Sequence, residues 1–183
     1  MKKLAAFTFS VFVAMTLSAQ AMTSKGLEKG EIDIQFVQKK PASYLKARGV
    51  FKAPVNKVWK TLTDFNHYSR YYESVVKSEV RAKKGNKYTV YVEFDFPWPI
   101  NKIWVLNEYT LDPSKKQIKW KMLKGNLKNS DGSGSWKLKP FKKRTLATYR
   151  LNLEEGGMSQ WVKKQVLYRN IPSVFGFLDK QMR

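Results

Sequence analysis

The chain has 183 residues, with 35 Lys and Arg against 14 Asp and Glu, a formal charge of +21, no cysteine and a single histidine. This composition excludes a disulfide framework, a cysteine nucleophile and a zinc site built from Cys and His, so a hydrophobic core must carry stability unaided. A positive surplus of this size attracts polyanions.

Residues 1–21 read as an export signal outside the fold. Lys2-Lys3 precede an uncharged, apolar run from Leu4 to Leu17, and Ala19-Gln20-Ala21 has the small-x-small pattern of a cleavage site. That run is shorter than the roughly 20 residues a membrane-spanning helix needs. Removing Lys2 and Lys3 leaves 33 basic against 14 acidic residues, or +19. About 160 residues suffice for one domain with its own core. The expected location is periplasmic or secreted. There the anionic partner is a membrane or an envelope polymer, and nucleic acid is not expected.

Residues 22–43 form a leader, polar from Thr23 to Glu31, with a first strand segment at Ile32 to Val37 before Lys39-Lys40-Pro41 interrupts it. The domain proper spans 44–183. Tyr44 to Lys52 is extended, and Pro54 then opens a helix, because a first helical turn needs no amide donor there. Val55, Val58, Trp59 and Leu62 give that helix one apolar face; Asp64 breaks it, and Phe65, Tyr68, Tyr71 and Tyr72 give a second, aromatic one.

Strands follow at Val75 to Ala82 and, after the turn Lys84-Gly85-Asn86, at Tyr88 to Phe96, where Tyr88, Val90, Val92, Phe94 and Phe96 share a face. Ile100 to Leu111 is closed by the turn Asp112-Pro113-Ser114-Lys115. Gln117 to Lys124, Trp136 to Lys139 and Thr145 to Leu153 complete an antiparallel meander, with a loop from Asn129 to Ser133. Ser159 to Met182 has helical spacing, with Pro172 inside it.

Ala53-Pro54, Val58-Trp59 and Asp64-Phe65, in this order and spacing, resemble the START-like (SRPBCC) superfamily, in its polyketide cyclase and coenzyme-Q-binding branch. Phe96-Pro97-Trp98-Pro99 is similar to that family's proline-bearing connection. Gly134-Ser135-Trp136-Lys137-Leu138 and Thr148-Tyr149 are similar to its late strands. The resemblance runs from Tyr44 to Met182 and departs at Gly156-Gly157-Met158-Ser159-Gln160-Trp161, where similar proteins often carry a proline. It implies an α+β helix-grip fold: a curved antiparallel sheet wrapped around a long C-terminal helix, with two short helices after the first strand. It also implies a cavity between sheet and helix for a lipid, sterol, quinone or polyketide.

The candidate lining is aromatic. Phe94, Trp120, Met122, Trp136 and Tyr149 lie on apolar strand faces, Trp161 and Phe175 on the last helix, and Trp98 on the proline-bearing connection, as a lid. Each apolar residue would equally serve as plain core. Asn107 and Glu108 are the candidate polar groups. Being consecutive on a strand, one of them points inward, and the alternation leaves open which, since Ile103, Val105 and Tyr109 compete with Trp104 and Leu106. His67 reads as a surface imidazole and Asp64 as a turn residue. No catalytic residue, metal ligand or cofactor is assigned.

On the opposite strand faces stand Lys46, Arg48 and Lys52, Lys119 and Lys121, Lys137 and Lys139, and Arg150, a basic stripe across the outer sheet. The expected function is an exported, monomeric, non-enzymatic binding protein for a hydrophobic or amphipathic ligand (lipid, quinone or sterol-like), docking to anionic envelope surfaces through that face. Two alternatives stay open: a cyclase- or aromatase-like enzyme using the same pocket, and a polyanion-binding module without an internal ligand.

Overall fold

Strands and helices arise from these patterns in a computed structural model. It describes residues 26–27, 29–37, 43–95, 102–126, 132–153 and 160–182, with only the backbone at 43, 153 and 160–170. In chain order they are β1 (Asp33–Val37), β2 (Ser43–Phe51), α1 (Val55–Leu62), a 3-10 turn (Phe65–His67), α2 (Tyr68–Tyr71), β3 (Val75–Lys84), β4 (Lys87–Asp95), β5 (Lys102–Asp112), β6 (Gln117–Gly125), β7 (Ser133–Phe141), β8 (Arg144–Leu153) and α3 (Gln160–Gln181).

The strands form one antiparallel sheet in the order β1-β2-β8-β7-β6-β5-β4-β3. From β3 to β8 each strand pairs with the next in sequence. The long connection from β2 to β3 carries α1, the 3-10 turn and α2 across to the far edge. This is the helix-grip α+β architecture. The strand segment expected at Ile32 to Val37 is β1, and it pairs along β2, from Asp33 opposite Arg48 to Val37 opposite Tyr44. Residues 33–37 are therefore the edge strand of the sheet, and the short helices follow its second strand.

Strand alternation divides the sheet into two faces. Leu45, Ala47 and Phe51 of β2, Val90 and Val92 of β4, Val105 and Leu111 of β5, Ile118 of β6, Trp136 and Leu138 of β7, and Ala147 of β8 are buried on the inner face. Against them α3 sets Ile171, Phe175, Leu178 and Met182, one stripe at helical spacing, and α1 sets Val58 and Leu62. Asp179 anchors α3 by accepting the backbone N–H of Lys52 at 2.6 Å, and the Thr145 hydroxyl donates to the Ala53 carbonyl at 2.7 Å.

Helix α3 crosses β2 closely because Gly49 has no side chain. A β-carbon there would lie 2.7 Å from two ring atoms of Phe175. That ring is held in place, stacked on Phe51 at 5.2 Å and tilted against Trp136 at 5.3 Å. Gly49→Ala is therefore expected to lift the helix and cost about 1–3 kcal/mol, the usual penalty for overpacking. Urea unfolding of the two proteins would check it, and an unchanged midpoint would contradict it.

Candidate functional site

The register brings the inner-face residues of β5 and β6 together. Tyr109 lies opposite Trp120, and Asn107 opposite Met122. Val90 of β4 flanks Asn107 on the other side, and Gly134 of β7 faces Trp120. A β-bulge falls beside Asn107: Leu106 pairs with Lys124 but Asn107 pairs with Met122, leaving Leu123 as the extra residue in β6. Trp120 lies over Gly134, where an added β-carbon would be 2.7 Å from the indole ring and 2.5 Å from the backbone oxygen of Arg150.

The elements after β2 complete this region with tyrosines. The ring centroid of Tyr68 is 5.0 Å from that of Tyr72 and 6.3 Å from that of Tyr109, and Phe65 approaches Tyr109 at 4.6 Å. The Tyr68 hydroxyl donates to the Leu62 carbonyl at 3.0 Å. Asn107 is 6% exposed, and its Nδ2 donates to the Tyr109 hydroxyl at a long 3.5 Å.

Burial pushes Tyr109 up to about 12, although hydrogen bonds with Asn107 and Tyr68 work the other way. Burial, reinforced by Tyr109, also raises Tyr149 and lifts Tyr68 and Tyr72 well above the ordinary phenol value. All four are neutral hydroxyls at physiological pH, suited to hydrogen bonding and not to proton abstraction.

The ten sequence-predicted residues separate into groups. Asn107, Trp120, Met122, Tyr149 and Phe94 stand on the inner face; apart from Asn107 they are only half-buried. Trp136 and Phe175 are buried, and Trp136 packs on Tyr149 at 4.6 Å and on Phe175, so this pair belongs to the closed, packed end. Glu108 is corrected. It stands on the outer face, its side chain 24% exposed, 3.3 Å from Lys121 and 3.7 Å from Lys87, because strand alternation turns it away from Asn107. Trp98 and the lid expected around it lie outside the described residues. So does the side chain of Trp161.

Tyr68, Tyr72 and Tyr109 were not among the predicted lining. The signal for the first two was present in the aromatic helical face after Asp64. Tyr109 depended on the unresolved parity of β5.

His67 is exposed, with Nδ1 2.7 Å from Asp64 Oδ1, and Asp64 also accepts the Tyr71 hydroxyl at 3.0 Å. Burial raises the Asp64 carboxyl, but the hydrogen bonds from His67 and Tyr71 and the charges of His67 and Arg70 outweigh it and hold it below the ordinary carboxylate value. A folded-state pKa below the unfolded one stabilises the protein above the unfolded value, and that contribution is lost as pH falls through the folded one. Asp64→Asn is thus expected to lower the melting temperature at neutral pH, with the gap closing below about pH 4. Thermal melts of both proteins between about pH 3 and 7 would check this; a gap independent of pH would contradict it.

On the outer face, Lys46, Arg48, Lys137, Lys139 and Arg150, with Gln117, Ser135, Leu146 and Thr148, line a trough of about 320 Å³. Among the described residues, no carboxylate lines it. Lys46 lies directly opposite Arg150 across β2 and β8, a like-charge cross-strand pair that does not favour the sheet. Its edge is neutralised by Asp33 at 3.9 Å from Arg48. Among the described residues, no group of three or more His, Cys, Asp or Glu is placed to hold a metal ion, and no helix is long and apolar enough to cross a membrane.

An inner face of half-buried aromatics, closed over by a long terminal helix, defines a START-like protein. The chain belongs to the polyketide cyclase / dehydrase and lipid transport family, whose model matches residues 45–176. No curated protein matches it by sequence.

Solved structures share its fold. The Zhui aromatase/cyclase from Streptomyces sp. R1128 is similar at 16% identity, with a TM-score of 0.66 over 76% of this chain and 93% of that one. The STAR-related lipid transfer protein from Xanthomonas axonopodis is similar at 18% identity, with a TM-score of 0.66 over 83% and 93%. Human StAR-related lipid transfer protein 5 is similar at 12% identity, with a TM-score of 0.66 over 84% and 82%.

Proposed function

We propose that this protein is an exported carrier that holds a hydrophobic or amphipathic ligand between the inner face of its sheet and α3, and docks to anionic envelope surfaces through its outer face. One observation carries the reading. Phe94, Ile103, Trp120, Met122, Tyr72 and Tyr149 face inward yet remain only half-buried, so apolar surface is left uncovered where a core would be closed. Tyr72 and Tyr149 are surrounded by enough protein to raise their pKa by desolvation and still touch solvent, as residues lining an interior space do.

Covering this surface with a lipid chain contributes roughly 25 cal/mol per Å² before the costs of association. Lipid-transfer proteins among the structural relatives support the reading. The aromatase/cyclase relative supports an enzyme instead, but an enzyme needs an acid or base at the reacting atoms. The inner face offers neutral phenols and, among the described side chains, neither a carboxylate nor an imidazole.

Uptake of a fluorescent phospholipid by the purified protein tests the interior. Saturable binding that persists in about 0.5 M salt is expected, since salt screens charge and not apolar contact. Its absence would sink the carrier reading. Sedimentation with vesicles tests the trough: binding to phosphatidylglycerol but not phosphatidylcholine is expected, lost in high salt and weakened in a Lys137→Glu, Lys139→Glu variant. Equal binding to both vesicles would exclude docking by charge.

A further inference from the structure

Strand register lines up the outer-face residues in rows that run across the sheet. One row crosses it from β1 to β3. It begins with Gln35 of β1 opposite Lys46 of β2, and Lys46 faces Arg150 of β8. It passes through Ser135 of β7 to Lys119 of β6, and through Thr110 of β5 to Lys87 of β4 and Lys84 of β3. Five cations and three neutral polar residues stand in this row, and no carboxylate does. Adjacent strands lie about 4.8 Å apart, so successive cations stand about 5, 10, 10 and 5 Å apart along the sheet, and the line from Lys46 to Lys84 is about 29 Å long.

The rows beside it differ. Asp33 and Asp112 close the two ends of the row that holds Arg48 and Lys137, and Glu108 stands in the row that holds Lys121. Lys87 leans towards that Glu108, at 3.7 Å, but among the described residues no carboxylate pairs with Lys46, Lys119 or Lys84. On its own the row is unfavourable. Lys46 with Arg150 and Lys87 with Lys84 are like charges directly opposite each other, which destabilise a sheet. An anion lying over each pair turns repulsion into attraction, and the Ser135 and Thr110 hydroxyls between the cations can donate to its oxygens.

We infer that this row is a track for one linear phosphate polymer laid across the strands, with one end in the trough that Lys46, Arg150 and Ser135 help to line. The inference rests on the docking reading above and names the chemistry of the surface docked to. A bilayer spreads its anions over an area and meets the flanking acids as readily as the row, whereas a single chain is as narrow as the row itself. No aromatic side chain stands in the row for bases to stack on, which favours a bare phosphate backbone over single-stranded nucleic acid.

The test titrates the purified protein at low salt with long-chain inorganic polyphosphate, tripolyphosphate, oligothymidine and phosphatidylglycerol vesicles, compared at equal total phosphate. A chain that reaches several cations at once is expected to bind at least about tenfold more tightly per phosphate than tripolyphosphate, which is too short to follow the row, and to displace the protein from the vesicles. Two variants with the same change in net charge then separate a track from bulk attraction. Lys46→Glu with Lys119→Glu, both in the row, is expected to weaken polyphosphate binding at least about tenfold, and Lys60→Glu with Lys180→Glu, exposed on α1 and α3, less than about threefold. Equal losses in the two variants would overturn the track, as would tighter binding of oligothymidine than of polyphosphate. The chain-length comparison needs no variant to fold: vesicle binding with no preference for the long chain over tripolyphosphate would overturn the track and leave the docking reading standing. Failure to bind either vesicles or polyphosphate would overturn the docking reading and the track with it.

Discussion

Trp136→Ala is expected to destabilise the protein by about 3–5 kcal/mol, the range for truncating a buried aromatic side chain. Trp136 is 6% exposed and joins three elements, touching Phe51 of β2 at 6.3 Å, Tyr149 of β8 at 4.6 Å and Phe175 of α3 at 5.3 Å between ring centroids. Its removal leaves a cavity where helix and sheet meet, and neighbours held in stacks relax only partly. At about 2–4 °C per kcal/mol for a domain of this size, the melting temperature should fall by roughly 10 °C. A thermal melt followed by circular dichroism would measure it. A fall of less than about 3 °C would mean that the aromatic cluster is looser than its ring contacts imply.

The second large effect is expected at Gly134. A β-carbon there would sit 2.5 Å from the Arg150 carbonyl oxygen, a backbone atom that cannot move alone, and 2.7 Å from the Trp120 ring. Gly134→Ala must therefore both spread β7 from β8 and push the indole off the sheet. Overpacking and strain together should cost about 2–3 kcal/mol. Unlike Trp136→Ala, this substitution should also weaken uptake of a fluorescent phospholipid, because Trp120 belongs to the half-buried surface. Tryptophan emission should shift as the indole is displaced. Unfolding curves and emission spectra check the two parts separately, and unchanged emission with unchanged stability would contradict both.

Much of this architecture was legible in the chain. Val55, Val58, Trp59 and Leu62 specify α1 by spacing alone, and Asp112-Pro113 and Gly85-Asn86 mark turns that the structure contains. Gly85 takes the positive φ of +58° that such a tight turn demands. The face of β5 was not legible, because both its faces carry apolar residues. The outer one carries Trp104, 36% exposed and stacked at 6.0 Å on Tyr91, whose own ring lies under Lys77 and Arg81. An aromatic sustained outside by stacking on a ring that itself makes cation–π contacts looks, in sequence, like one destined for the core.

The site itself was half legible. Trp120, Met122 and Tyr149 followed from alternation, whereas the tyrosine chain did not. Tyr68 and Tyr109 are 41 positions apart, and their meeting depends on how α2 folds back over the sheet. The β6 bulge at Leu123 leaves no mark in the sequence. Nor does local spacing distinguish the packed end, with Trp136 and Phe175, from the open end, with Trp120 and Met122. Both read as inward apolar residues, and only the structure shows the first pair buried and the second half-buried.

The most direct test of a filled interior is native mass spectrometry of the protein recovered from the cells that make it, compared with Trp120→Ala. The expected result is one amphipathic molecule per chain, retained through purification, released on unfolding and largely absent from the variant. A bare polypeptide mass in every preparation, unchanged after incubation with envelope lipids, would contradict it.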